Sequence, residues 1–117
     1  MLTDLLTNLA DALAGVDIKA THDPQKLSLP GALLYPVALD FDRLDGNTAS
    51  VEVEVILTAR GLGTTAALNT LEDMLHRSRS LWPVPVATAV NVNLPNHSPD
   101  PLPGLRYTVT AQVTRTP

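Results

Sequence analysis

Hydrophobic and polar residues alternate strictly over residues 50–60: Val51, Val53, Val55, Leu57 and Ala59 share one face, and Glu52, Glu54, Thr58 and Arg60 the other. Successive side chains of an extended chain point to opposite sides, so the pattern predicts a strand with one buried face. Past Gly61, Leu62 and Gly63 the period changes. Leu68, Leu71, Leu75 and Ser78 step by threes and fours, and Ala67, Met74 and Leu81 widen the stripe. That spacing predicts a helix over residues 64–82 whose apolar side must pack back on the sheet. Thr64 or Thr65 offers an N-cap oxygen, Arg77 and Arg79 stand where the helix macrodipole favours cations, and Pro83 forbids continuation.

Leu2, Leu5, Leu6, Leu9 and Leu13 form a stripe that predicts a first helix over residues 2–14, with Asp4 in its first turn and Gly15 as its stop. Val16, Ile18 and Ala20 then alternate with Asp17, Lys19 and Thr21 as a short strand, and residues 22–31, with Pro24, Pro30 and Gly31, form a loop. Over residues 32–41 the positions Leu33, Tyr35, Val37, Leu39 and Phe41 alternate again. Pro36 lies inside this strand and cannot donate to a ladder, which places it at a sheet edge or at a bulge. Asp45-Gly46 is a strong turn signal, so residues 42–49 join the two strands as a hairpin. At about 3.3 Å per residue the second of them spans roughly 36 Å, and the hairpin is expected to project beyond the core.

After the second helix, Val86, Val90, Val92 and Leu94 face one way and Ala87, Ala89, Asn91 and Asn93 the other. Pro95, Pro99, Pro101, Pro103 and Gly104 then mark a stiffened, extended loop. In the last strand Tyr107, Val109, Ala111 and Val113 oppose Arg106, Thr108, Thr110 and Gln112. The order α-β-β-β-α-β-β describes an α+β fold in a single domain over residues 1–117. It is expected to hold one mostly antiparallel sheet of four to five strands packed against two helices, with a projecting β-hairpin.

Composition narrows the partners. Tyr35, Phe41, Trp82 and Tyr107 are the whole aromatic stock, so the core must be filled by Leu, Val and Ala, and platforms for stacking bases are not expected. A net charge of −4 with scattered Lys and Arg argues against tight, sequence-specific nucleic-acid binding. The chain has no cysteine, which excludes disulfides, thiolate metal clusters and a cysteine nucleophile. Asp4 and Asp11 stand where a secretory leader carries basic residues, and no apolar run approaches the ~18 residues that cross a bilayer. A soluble, intracellular protein without membrane contact is expected.

Candidate chemistry is sparse. Gly61-Leu62-Gly63-Thr64-Thr65-Ala66 matches a dinucleotide-binding pattern between a strand and a helix, but the following strand ends in no carboxylate to hold a ribose. Asp40, Asp42, Asp45 and Asn47 crowd the hairpin turn without calcium-loop spacing, since Leu44 stands where an oxygen ligand belongs. His22, His76 and His97 are far apart in sequence, no serine sits in a G-x-S-x-G elbow, and Glu52 with Glu54 reads as a solvated strand face. No catalytic residue, metal ligand or cofactor site is assigned.

The succession of a short leucine helix, an early strand, a projecting hairpin, V-E-V-E-V-I-L-T-A-R with a loop into A-A-L-N-T-L-E-D-M-L, and a final Y-T-V-T-A-Q-V strand resembles the tail terminator proteins of long-tailed, siphovirus-like bacteriophages. The resemblance covers nearly the whole chain. It implies a virion structural protein rather than an enzyme: a homo-oligomer, six-membered in that family, whose ring closes by heterologous contacts, caps the tail tube protein, ends tube polymerisation and joins the head connector or stopper. Assembly in the host cytoplasm, a final place in the virion tail and neck, and DNA passing through the ring follow from the same resemblance. A head-completion (stopper) protein, a tail-tube subunit, and more distantly a small nucleotide-binding or hydrolytic enzyme are the alternatives. Projecting geometry marks Arg43, Leu44, Asp45 and Asn47 at the hairpin tip, and Asn96, His97, Asp100 and Leu102 in the proline loop, as candidate subunit or partner contacts.

Overall fold

A computed structural model describes residues 2–40, 48–60, 64–94 and 100–114. Helix α1 (Leu2–Ala14) leads into the two-residue strand β1 (Ala20–Thr21), a single 3₁₀ turn (Pro24–Lys26), β2 (Gly31–Asp40) and β3 (Thr48–Thr58). Helix α2 (Thr64–Ser78), β4 (Thr88–Val92) and β5 (Leu102–Thr114) follow. The five strands form one sheet in the order β1-β2-β3-β5-β4. β1 pairs parallel with β2, and every other neighbouring pair is antiparallel. The fold is α+β, and β3-α2-β4 is a split crossover: β3 and β4 run the same way with β5 inserted between them.

The end of α1 explains why the expected strand over residues 16–21 shrinks to two residues. The N–H of Ile18 donates to Leu13 O and that of Asp17 to Ala14 O, closing a Schellman turn around Asp17, whose φ is 63°. Gly15, expected as the stop, instead continues the helical hydrogen bonding to Asp11 O. Leu13 and Ile18, both buried, supply the hydrophobic contact that accompanies this motif. Arg77 of α2 fastens the turn from outside: its Nη1 donates to Val16 O at 3.0 Å and Asp17 O at 2.9 Å, while Nη2 pairs with Asp73 at 2.9 Å.

One face of the sheet carries both helices. Leu6, Leu9 and Leu13 of α1 and Leu71 and Met74 of α2 join Ala32, Leu34, Val51, Val53, Val55, Leu57, Tyr107 and Val109 in a single buried cluster. The stripe of α2 is rotated from the expected one: Ala67, Leu71, Met74 and Ser78 are buried, while Leu68 is 53% exposed. The helix also ends at Ser78 and gives way to turns rather than reaching Trp82, whose Nε1 donates to the Tyr107 hydroxyl at 3.1 Å. Burial pushes the Tyr107 phenol above its usual pKa, partly offset by Ser78 and Trp82 beside it.

Among the described residues the opposite face is covered at one end only. There Leu27, Leu33, Val92, Leu94 and Leu102 form a second, smaller cluster, with Ile56 and Val90 packed against it. Gly104 makes this closure possible, because a Cβ there would lie 2.7 Å from Val92 Cγ2 and 2.9 Å from Leu57 O. The strand expected to begin at residue 105 therefore starts at Leu102: Pro103 O accepts from Thr58 Oγ1 at 3.1 Å, and Gly104 admits a neighbour instead of breaking the strand. β4 is shorter than its alternating pattern, and Val86, expected to share a strand face with Val90, Val92 and Leu94, precedes it at 69% exposure.

Candidate subunit interface

Beyond the second cluster the sheet continues, among the described residues, as a ribbon of β2, β3 and β5 alone. β1 covers the outer edge of β2 only at Ala32 and Leu33, and β4 covers the outer edge of β5 only as far as Arg106. Among the described residues, residues 34–40 of β2 and residues 108–114 of β5 have no outer strand partner. The ribbon gives the molecule its elongated outline, 50 Å by 28 Å by 23 Å.

The two open edges differ. Ala32 N–H points outward to Lys19 O, and because backbone direction alternates along a strand, Pro36 turns its nitrogen the same way. The proline thus removes a donor from the open edge and none from the ladder with β3. Register shifts between Pro36 and Ala38, so Val37 is the extra residue of a bulge. Both possibilities raised for Pro36, an edge strand and a bulge, hold together. The bulge also breaks the simple alternation expected for this strand: Tyr35 stands opposite Glu54 on the face away from the helices, whereas Leu39 stands opposite Val51 on the helix side. Tyr35, Val37 and Leu39 are 36%, 52% and 38% exposed, three large apolar side chains at alternate positions on one uncovered strand.

A groove of about 290 Å³ lies where the ribbon meets the covered end. Leu33, Ile56 and Val90 line its apolar part, and Tyr35, Glu54 and Arg106 bring polar groups to it. Glu54 and Arg106 occupy diagonal positions on neighbouring strands, and among the described residues they make no ion pair with each other. Towards the ribbon's end the same face is polar, with Glu52, Thr108, Thr110 and Gln112 exposed.

Of the residues singled out from the sequence, Arg43, Leu44, Asp45, Asn47, Asn96 and His97 lie outside the described residues. Asp100 is exposed just before β5. Leu102 is a correction: it is a β5 residue, 5% exposed and packed in the second cluster, so it is a core position and not a contact surface. Its place in a proline-rich run hid this, because the strand begins inside that run. Tyr35, Val37 and Leu39 are the interface candidates that periodicity concealed, since an apolar alternation reads as a buried face; Pro36 among them was the available signal.

His22, in the bend after β1, and His76, on α2, are both exposed, and no group of three or more His, Asp or Glu suited to a metal occurs among the described residues. No helix among them is long and apolar enough to cross a membrane. Comparison with known protein families, curated proteins and solved structures finds no match.

Proposed function

We propose that this chain is a ring-forming structural subunit of the tail-terminator kind, which caps a phage tail tube and presents a surface to the head connector. The observation that carries the reading is the uncovered three-stranded ribbon with Tyr35, Val37 and Leu39 exposed on its outer strand. An isolated chain gains nothing from displaying an apolar strand edge, whereas a subunit buries it against a neighbour. The order of elements along the chain supports the particular class.

One property of the ribbon and one of the whole chain suit such a ring. Its two open edges lie on opposite sides of the same chain, which is the arrangement a heterologous, head-to-tail contact needs. The net charge of −4 suits a lumen through which DNA slides without adhering.

Light scattering over a range of concentrations tests the reading. A discrete closed oligomer, six-membered if the family likeness extends so far, is expected, and Val37→Asp should lower its mass by placing a charge in the contact. Added tail tubes should then bind the oligomer at their ends. Open-ended polymers would favour a tube subunit instead, and a chain that stays monomeric and ignores tubes would overturn the proposal.

A further inference from the structure

The outer edge of β5 is the plainest binding surface on the described chain. Pro103 O points to β3, where it receives Ala59 N–H, and the register between β3 and β5 runs without a bulge to Thr114. Backbone direction alternates, so Thr108, Thr110, Gln112 and Thr114 turn their N–H and C=O groups away from β3, past the end of β4. The segment T-V-T-A-Q-V-T contains no proline and no charge, the two residue kinds that commonly blunt an edge. Hydrogen-bonding groups presented in this way are a template for another strand.

The geometry points to a second copy of this chain as the occupant: the outer part of its β2, beyond the bulge at Val37, adds to the β5 edge. β2 and β5 are both antiparallel to β3 and so run in the same direction. A rotation that repeats the subunit about an axis along the ribbon therefore sets β2 of one copy beside β5 of the next as a parallel pair, and the sheet continues from subunit to subunit. Pro36 and the bulge confine this pairing to the stretch after Val37, which limits slippage between registers. The exposed Val37 and Leu39 flank the same seam and are covered when it closes. This inference rests on the ring reading, and its test separates the two.

Thr110→Pro removes one outward N–H of β5 and leaves the inward ladder to β3 in place, whereas Ala111→Pro removes an inward one. In light scattering with circular dichroism, Thr110→Pro is expected to keep its secondary structure while the oligomer falls to single chains; Ala111→Pro is expected to lose the fold. Hydrogen exchange on the unaltered chain gives a second measurement that does not depend on a variant folding. The Thr110 and Gln112 amides should become protected at concentrations where the oligomer forms and exchange freely where it does not. An oligomer of unchanged mass in a folded Thr110→Pro, or Thr110 and Gln112 amides that exchange freely within the oligomer, overturns the edge pairing and leaves the ring intact. A wild-type chain that never associates overturns both.

Discussion

The same three strands behave differently at their two ends. At the base, Leu33 and Leu34 are neighbours in sequence, point to opposite faces, and are each 1% exposed. In the ribbon, by contrast, Val51 and Val53 are buried while Glu52 between them is exposed. Among the described residues the base is covered on both faces, by the helices and by the Leu27–Val92–Leu94 cluster, and the ribbon on one. One-sided cover demands alternation; two-sided cover demands an unbroken apolar run. β3 displays both, as V-E-V-E-V passes into I-L-T. The transition marks where cover on both faces of the sheet gives way to cover on one among the described residues.

The sharpest way to break this contrast is to truncate the same sheet face at both ends. Leu33→Ala should cost about 2–5 kcal/mol in urea unfolding, because its packing at the base is lost and the cavity relaxes only partly. Glu52→Ala, on that face of the ribbon, should stay within about 0.5 kcal/mol. Equal losses would show that the ribbon's open face is covered in the monomer. Gly104→Ala probes how tightly the base closes. Its methyl group meets Val92 and the Leu57 carbonyl, and overpacking of about 1–3 kcal/mol is expected. Since a carbonyl cannot be trimmed, Val92→Ala should restore only part of it.

Tyr107 sharpens the comparison through pH. Its folded pKa lies above the ordinary 10.0, so its stabilising contribution is intact below pH 10 and is lost as pH rises through the folded value. Melting temperature should therefore fall more steeply above pH 10 in the wild type than in Tyr107→Phe, with the variant about 1 kcal/mol less stable at neutral pH for want of the Trp82 bond. The smallest effect belongs to the turn that anchors α1. Asp17→Gly relieves a left-handed conformation and should gain up to ~1 kcal/mol, part of the relief being offset by the freer unfolded chain. A loss there would mean that the Asp17 carboxylate, 4.0 Å from Arg77, matters more than the backbone.

Periodicity by itself determined which segments became helix or strand, because each element must present one side to a core whatever its neighbours are. It determined the α+β class and the succession of elements, the buried face of β3, and the dilemma at Pro36. Tertiary structure alone decided the rest. The sheet order β1-β2-β3-β5-β4 depends on which edges meet, and alternation along a strand is the same beside any neighbour. The rotation of α2 that exposes Leu68, and the strand that starts inside a proline-rich run at Leu102, were set by what fits against Gly104 and the helix face of the sheet. Whether Tyr35, Val37 and Leu39 are inside or outside was likewise beyond the pattern's reach. An apolar strand looks alike whether its partner is the same chain or another, and here β1 and β4 stop short, so that among the described residues both edges of the ribbon have no outer strand.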